Sequence, residues 1–449
     1  MTQKLLNRYG GAVPRYTSYP TAPHFHDGVN PDTYEKWLTE LPEGEPLSLY
    51  LHVPFCHEMC WYCGCQTKIF KRYSPVADYA KHLALEIEHV SKLLGDRHQV
   101  QHIHWGGGTP TALSNDDFSA LMARIKTQFR IASDAEIAIE IDPRTMTEQM
   151  AETLAVSGIN RASLGVQDFN PTIQQAINRV QSFEQTKDVT DWLKAVGIKQ
   201  INLDLMYGLP LQTVQDVRRT VDLSMELDAD RFSVFGYAHV PWMKSHQKLI
   251  LEDQLPDGEE RMAQAEAIAD QLQQHGYEAI GLDHFARPDD SMAQALKSGK
   301  LHRNFQGYTT DAAPTLIGLG ASSIGRLPKG YAQNTSSERA YKEAISNGRL
   351  PIVRGIELSE EDNLRRHIIE RLMCDLFIDL ADLCAKAGTN VDTFSYELEQ
   401  LREMNDDGIV HIRETQIQIT EIGQPFVRAV CAVFDQYLGT GQGRHSRAV

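Results

Sequence analysis

Short apolar runs alternate with amphipathic helical segments through the middle of the chain. The strand-like runs cover residues 47–53, 100–105, 136–142, 161–167, 200–207 and 231–237. Between the first two runs, Leu83, Ile87, Val90 and Leu94 recur at helical spacing. Alternation of this kind is typical of β/α units with parallel strands, so we predict an α/β fold. Six such units predict an incomplete (β/α)6 barrel, open relative to the eight-unit barrel.

The flanking segments have different patterns. The first 45 residues are rich in Pro, Tyr, Gly and His, with a short helix expected near 32–41. After residue 355 the pattern is helical, with Ser359 as an expected cap, and 408–423 alternates like a hairpin. We therefore predict an arm covering the active site (1–45), a barrel with extensions (46–355) and a small, mostly helical, winged-helix-like domain (356–449). A seventh strand is expected at 277–283, and the tail from residue 439 is expected to be mobile.

Composition and charge argue against membrane-spanning, secreted and nucleic-acid-binding proteins. The chain has 449 residues, of which 42% are hydrophobic, and no apolar run approaches the roughly 20 residues that span a bilayer. The N-terminus lacks the apolar stretch of a secretory signal, so we expect a cytoplasmic protein without a membrane span. The formal net charge of -16 disfavours a nucleic-acid partner. Seven cysteines, four of them close together, favour a reducing compartment over a disulfide framework.

The strongest chemical signal is a cysteine loop directly after the first strand. Cys56, Cys60 and Cys63 have the spacing C-x-x-x-C-x-x-C, and Cys65 follows two positions later. Three thiolates on a tight loop can bind three irons of a 4Fe-4S cluster and leave the fourth iron open to a small molecule. A structural zinc site and buried packing cysteines are the alternatives. Cys65 is either a loop thiol or a residue with a role beside the cluster.

Polar and glycine residues follow the predicted strands where the carboxyl ends of a parallel sheet converge. They are the glycines of 106–110, Glu140 and Asp142, Gln167, Asp204 and Ala238. Glu140 and Asp142 share one face of their strand by alternation. Acidic groups inside a barrel need a partner or a ligand, and an ion pair with Arg144 or Arg161 is the structural alternative.

The cysteine spacing, with Tyr62 before the third cysteine, resembles the radical S-adenosylmethionine (SAM) enzymes. In that family the open iron binds the methionine end of SAM, and one electron splits SAM into methionine and a 5'-deoxyadenosyl radical. The segments PRYTSYPTA, HWGGGTPT, EIDPR, INLDLMYGLP and LHRNFQGYTT together resemble the oxygen-independent coproporphyrinogen III oxidases of haem biosynthesis. This resemblance runs from about residue 8 to the helical tail and is weakest after residue 380.

The resemblance implies a 4Fe-4S cluster on Cys56, Cys60 and Cys63 and two SAM molecules side by side. Five residues would contact the cluster-bound SAM: Tyr50, Tyr62, Gly107, Glu140 and Ile324. Six would contact the second SAM: Gly108, Thr109, Gln167, Arg179, Asp204 and Ala238. The implied reaction converts the ring A and ring B propionates of coproporphyrinogen III to vinyl groups, giving protoporphyrinogen IX. No protein side chain is implied as a catalytic residue, because the cluster and SAM generate the radical.

The remaining expectations concern competing functions, partners and the cations that could bind the substrate. A haem carrier that keeps the cluster, and a radical SAM enzyme that opens or methylates a haem ring, are the competing functions. We expect a reducing electron donor such as flavodoxin, and a monomer. The substrate carries four carboxylates, and Arg15, Arg287 and Arg303 are the cations considered for them, each with a surface salt bridge as its alternative.

Overall fold

The computed structural model describes residues 3–439, so residues 440–449, nearly all of the predicted mobile tail, lie outside the described residues. A mixed sheet of 12 strands forms the centre, in the order β16-β15-β14-β13-β1-β4-β5-β6-β7-β8-β10-β9. The strands are β1 (Leu47–Val53), β2 (Phe55–Cys56), β3 (Lys68–Ile69), β4 (Gln99–Gly107), β5 (Arg130–Ile141), β6 (Arg161–Gln167), β7 (Gln200–Tyr207), β8 (Arg231–Gly236), β9 (Glu278–Ile280), β10 (His284–Ala286), β11 (His302–Asn304), β12 (Gly307–Thr309), β13 (Thr315–Leu319), β14 (Ile324–Leu327), β15 (Gly330–Asn334), β16 (Ile352–Glu357), β17 (Phe377–Asp379), β18 (Val410–Arg413) and β19 (Gln416–Ile419).

The α-helices cover the outer side of the parallel strands and build most of the C-terminal region. They are α1 (Gln3–Tyr9), α2 (Pro31–Thr39), α3 (Ser74–Leu94), α4 (Asn115–Gln128), α5 (Glu148–Val156), α6 (Pro171–Ala176), α7 (Phe183–Ala195), α8 (Val214–Met225), α9 (Gly258–Gln274), α10 (Ser291–Lys297), α11 (Glu338–Ser346), α12 (Glu360–Asp375), α13 (Leu380–Lys386), α14 (Ser395–Asp406) and α15 (Val427–Val433). No helix within residues 3–439 has both the length and the apolar character that crossing a bilayer requires.

The six predicted strands are all present as neighbours in the sheet. β1, β4, β5, β6, β7 and β8 pair in parallel and in chain order. Their apolar residues face the helices: Leu49 and Leu51 of β1 and Leu83 and Ile87 of α3 are fully buried in one core. Strands buried in this way read as apolar runs, which is why the pattern located them. The fold is that of an α/β protein, as predicted.

Two parts of the sheet differ from the prediction. The run 277–283 is not one strand: β9 ends at Ile280, the chain turns at Gly281, and β10 begins at His284. Both are antiparallel to their neighbours, so they extend the sheet beyond β8 without adding a β/α unit. On the other side, β13 pairs in parallel with β1. β13 begins the glycine-rich segment TLIGLGASSIG, so the hydrophobic pattern did not predict a strand there.

The N-terminal arm packs on the C-terminal region. Leu5 and Tyr9 lie in the same core as the residues of α12 to α15. The Tyr9 hydroxyl donates to Asp407 at 2.8 Å, and Arg15 Nη2 donates to the Gly236 carbonyl at the end of β8, at 3.3 Å. The arm therefore runs from the C-terminal helices to the carboxyl end of the parallel strands. Helix α1 was absent from the prediction, because a helix of this length depends on tertiary packing.

The C-terminal elements follow the predicted pattern. Ser359 caps α12 by accepting from the backbone N–H of Asp362, and β18 and β19 form the predicted hairpin. A third strand, β17, joins that hairpin. Cys374, Cys384 and Cys431 are buried, as expected for packing residues.

Glu86 joins α3 to the outer part of the sheet. Its carboxyl group is 1% exposed and accepts from the Gly320 N–H, the Asn334 side-chain amide and the Tyr341 hydroxyl, each at 2.7 Å. Burial raises the pKa of Glu86 to about 7, against the lowering effect of these three donors. The segment that carries β13 to β15 is thereby fixed to α3, which packs on the parallel strands.

Candidate functional site

The three thiols of the cysteine loop face a common region at the carboxyl end of β1. Burial, and then the nearby charges of Cys63, Asp142 and Cys60, raise the pKa of Cys56 to about 12. Within residues 3–439, no three His, Cys, Asp or Glu side chains meet at a single metal position. A 4Fe-4S cube takes each thiolate on a different iron, so a spread set of three sulfurs fits a cluster.

Two arginines donate to the central thiol. Arg144 Nη2 lies 3.3 Å and Arg179 Nη1 lies 3.4 Å from Cys60 Sγ. Asp142 forms ion pairs with both arginines. Its carboxylate oxygens lie 2.7 Å from Arg144 Nη2 and 3.2 Å from Arg179 Nη2. Burial alone would raise the pKa of Asp142, but Arg179 and Arg144 lower it to about 2. Cations beside sulfur stabilise thiolates, so this arrangement also fits a cluster. The ion-pair alternative therefore holds for Asp142.

The loop after β8 fixes the cysteine loop from the other side. His246 Nε2 donates to the Cys63 carbonyl at 2.8 Å, and Gln247 Nε2 donates to the Tyr62 carbonyl at 2.9 Å. The sequence analysis named neither residue. Their segment has no periodicity or motif, and about 180 residues separate it from the cysteines, so no local signal could have found them.

Cys65 lies beside Cys63. A hydrogen bond from the Cys65 side chain is the first cause that lowers the pKa of Cys63 to about 6. Cys65 itself is exposed. A role for Cys65 beside the cluster, as against a loop thiol, stays a prediction.

The residues assigned to the cluster-bound SAM form a continuous group along the first three parallel strands. The Tyr50 ring stacks on His104, with centroids 5.9 Å apart and planes at 25°. His104 Nε2 donates to Glu140 Oε1 at 3.1 Å, and the Gly107 N–H donates to Glu140 Oε2 at 3.1 Å. Burial opposes ionisation, but these donors lower the pKa of Glu140 overall. His104 was missed, although its alternation between Ile103 and Trp105 marked it as facing the barrel interior.

Glycine is required at 107 and 108 by contacts within the protein. Gly107 has φ 115°, and a Cβ there would lie 2.7 Å from the His52 ring. A Cβ at Gly108 would lie 2.5 Å from the Phe55 carbonyl oxygen. The Gly108 N–H donates to the Val53 carbonyl at 2.9 Å. The amides of both glycines are thus used inside the protein, so a ligand here would meet their carbonyl groups.

Ile324 and Tyr62 lie at the two sides of this group. Ile324 begins β14, and a Cβ on Gly318 of β13 would lie 2.8 Å from its carbonyl carbon. Gly318 is opposite Tyr50 in the sheet register, so Ile324 extends the row that starts at Tyr50. Tyr62 packs with the cluster that contains Ile173.

Three of the residues assigned to the second SAM converge at the end of β6. Arg179 Nη2 donates to the Gly165 carbonyl at 2.6 Å, and Gly165 is opposite Asp204 in the sheet register. A Cβ on Gly165 would lie 3.0 Å from both Arg179 Nη2 and Gln167 Nε2. Gln167 has a left-handed backbone, with φ 69°, and a buried side chain.

Asp204 is hydrogen-bonded by two neutral side chains. It accepts from Ser163 Oγ at 3.0 Å and from Asn202 Nδ2 at 2.8 Å. Burial, and then the charge of Glu140, raise the pKa of Asp204 to about 6. A buried carboxylate of this kind can accept hydrogen bonds from hydroxyl groups of a ligand.

Thr109 and Ala238 are engaged by the protein. Thr109 is 2% exposed, and its hydroxyl accepts from the Asp142 N–H at 3.2 Å. The Ala238 carbonyl accepts from Gln247 at 3.2 Å. Both lie at carboxyl ends of the strands, and their contact with a ligand stays a prediction.

The three cations considered for substrate carboxylates differ in their surroundings. Arg287 pairs with Asp228 at the surface, which is the salt-bridge alternative. Arg15 is exposed and bonds to Gly236, whereas Arg303 is buried between the barrel extension and the arm.

Comparison with known proteins agrees with this geometry. Residues 50–224 match the sequence model of the Radical SAM superfamily, which is the class of protein that this fold and site define. A solved structure of coproporphyrinogen III oxidase from Escherichia coli, described as a radical SAM enzyme, superposes with a TM-score of 0.91. It is 36% identical and covers 97% of this chain and 99% of that chain.

Curated relatives narrow the class. An oxygen-independent coproporphyrinogen III oxidase from Bradyrhizobium diazoefficiens is 52% identical, with 97% of each chain aligned. A protein of the same description from Cereibacter sphaeroides is 42% identical over 99% of this chain and 98% of its own. The chain therefore belongs to the family of oxygen-independent coproporphyrinogen III oxidases.

Proposed function

We propose that this protein oxidises coproporphyrinogen III to protoporphyrinogen IX in haem biosynthesis, without oxygen. The observation that carries the proposal is the cysteine loop, with Arg144 and Arg179 donating to Cys60, in a chain that aligns over 97% of its length with a curated member of the family. The ring A and ring B propionates would each lose a hydrogen atom from the β-carbon to the deoxyadenosyl radical, then CO2, and one electron to an external one-electron acceptor, and so become vinyl groups.

Cys56, Cys60 and Cys63 would hold the 4Fe-4S cluster. When bound, the cluster and SAM supply the 5'-deoxyadenosyl radical that takes the hydrogen atom. The protein's own part is to orient and to exclude water. Asp142 fixes the two arginines beside the sulfur, and Glu140 is held ionised by His104 and Gly107.

Two SAM sites are part of the proposal. The row Tyr50, Gly107, Glu140 and Ile324, with Tyr62, would contact the cluster-bound SAM. The group around the end of β6 would contact the second: Gln167, Arg179 and Asp204, with Gly108, Thr109 and Ala238. The support is that Tyr50, Gly107 and Glu140 are linked through His104, that Gln167, Arg179 and Asp204 converge at Gly165, and that these two sets lie on adjacent strands.

The proposed domain organisation has three parts. The six parallel strands would form the incomplete (β/α)6 barrel within 46–355, and residues 356–449 a winged-helix-like domain. The arm (1–45) would cover the active site, supported by the bond from Arg15 to the end of β8. A cytoplasmic location, a monomer and an electron donor such as flavodoxin complete the proposal.

The test is an anaerobic assay with reductant, SAM and coproporphyrinogen III. Wild-type protein should give protoporphyrinogen IX by mass, and Cys60→Ser should abolish both the cluster absorbance and the product. Cys384→Ser, in a buried cysteine of α13, is the matched control and should retain both. Deoxyadenosine without protoporphyrinogen IX, or haem transfer to an apo-protein without SAM turnover, would contradict the proposal.

A further inference from the structure

Arg303 is a buried cation whose hydrogen-bonding capacity is not used within the protein. Its side chain is 5% exposed, and its Nε and Nη1 have no hydrogen-bond partner in the structure. Asp283 Oδ1 is 4.0 Å from Nη1, and the guanidinium carbon lies 4.4 Å from the centroid of the Tyr308 ring. Unpaired buried N–H groups of a cation are costly, so the position calls for a ligand acceptor.

The surroundings of Arg303 carry excess positive charge. Burial alone would raise the pKa of Asp283, but His284, Arg303 and Arg15 lower it to about 2. Burial, together with the nearby Arg15 and Arg303 cations, lowers the pKa of Arg428 to about 10. The charges of Arg15, Arg303 and Arg428 therefore act on Asp283 from three parts of the chain. In a protein of net charge -16, the cleft that Arg303 lines still holds three arginines against two carboxylates: Arg303, Arg326 and Arg366 against Asp311 and Glu370.

Arg303 opens into a cleft beneath the N-terminal arm. The cleft is lined by Tyr16 and Tyr19 of the arm and by Arg366 of α12. Asn304 lines both this cleft and the barrel cavity that contains Glu140 and Asp204. A flat anionic molecule could therefore reach from the arginines to the predicted SAM sites.

We propose that Arg303 binds the carboxylate of a propionate that the reaction leaves in place. This inference rests on the proposed function, which supplies a substrate with four carboxylates. A strong ion pair with a reacting carboxylate would stabilise the ground state and oppose CO2 loss. Asp283 and Tyr308, the neighbours of Arg303, lie outside the cysteine loop, so this end of the substrate would lie away from the radical source.

The test uses two fluorescent, unreactive probes, coproporphyrin III and protoporphyrin IX. Both carry the two propionates that the reaction retains, and only the first carries the two that react. Arg303→Gln should weaken the binding of both probes by about 10- to 100-fold, the range for a lost charge-assisted hydrogen bond. Arg303→Lys should be intermediate, because it keeps the charge without the planar fork. Arg287→Gln, which removes a surface cation, is the matched control and should bind both probes as wild type does.

Two further readouts separate binding from structure. Arg303→Gln also removes a charge beside Asp283 and the contact with the Tyr308 ring, so its thermal midpoint is measured as a check of folding. The folded variant should raise KM for coproporphyrinogen III more than it lowers kcat. Unchanged affinity for both probes would overturn the proposal. Weaker binding of coproporphyrin III alone would also overturn it, because Arg303 would then hold a reacting carboxylate. If wild-type protein makes no protoporphyrinogen IX, the proposed function fails instead.

Discussion

Asp204→Asn tests the separation of the two predicted SAM sites. The carboxyl group of Asp204 is buried on β7 and accepts from Ser163 and Asn202. Its remaining lone pairs are available to the hydroxyl groups of a ribose. Asn removes the charge and replaces one acceptor by a donor, with almost no change in volume. We therefore expect one of two SAM molecules to bind more weakly, with the cluster unaffected.

The expected size follows from the hydrogen bonds. Bonds to a charged group contribute about 1.5–3 kcal/mol, which corresponds to a loss of affinity of about 10- to 150-fold. The pKa of Asp204 is raised to about 6 without ligand. A ligand that donates to the carboxylate favours the ionised form, so wild-type affinity at this site should fall as pH decreases below 6 and level off above it. The affinity of the Asn variant should not depend on pH in this range.

Equilibrium dialysis of radiolabelled SAM against the cluster-loaded protein measures both quantities. Wild type should bind two SAM molecules and Asp204→Asn one, at a concentration that saturates only the wild type. Ser163→Ala is the matched variant: it keeps the carboxylate but removes a donor, so the pH at which affinity falls should shift upward. Loss of both SAM molecules, loss of the cluster absorbance, or equal pH profiles for wild type and Asn variant would refute the reasoning.

Three further predictions concern the support of the site. Asp142→Asn should destabilise the protein by about 3 kcal/mol or more in urea unfolding, because it leaves Arg144 and Arg179 buried without a counter-charge; an unchanged midpoint would contradict this. His246→Ala should speed cluster loss to a chelator by about 2- to 10-fold, followed by visible absorbance, since it removes one hydrogen bond to the cysteine loop. Glu86 has a raised folded-state pKa, so its stabilising contribution is complete below about 4.5 and decreases by about 3 kcal/mol as pH rises to 7. The thermal midpoint of Glu86→Gln should lack this decrease, and equal slopes for both proteins would exclude it.

The candidate site residues show which features the local sequence pattern can predict and which it cannot. The cysteine spacing identified the loop after β1 as the predicted cluster loop, strand alternation placed Glu140 and Asp142 on one face, and the strand-end position identified Asp204. The same argument could not say that Asp142 serves Arg144 and Arg179 whereas Glu140 is held by a histidine. Which acidic side chain pairs with which basic side chain depends on the register between strands, and register is set by the tertiary structure.

The sequence by itself determined the six parallel strands, the cysteine loop and the position of polar groups at the strand ends. These features have local causes. Strands buried on both faces consist of consecutive apolar residues, and the cysteines that could bind a cluster lie close together in the chain. Only the tertiary structure decided that helix α1 forms on the C-terminal region, that residues 277–283 turn back as two short strands, and that His246 holds the cysteine loop. Each depends on contacts between segments distant in the chain, whose energy has no counterpart in the local pattern.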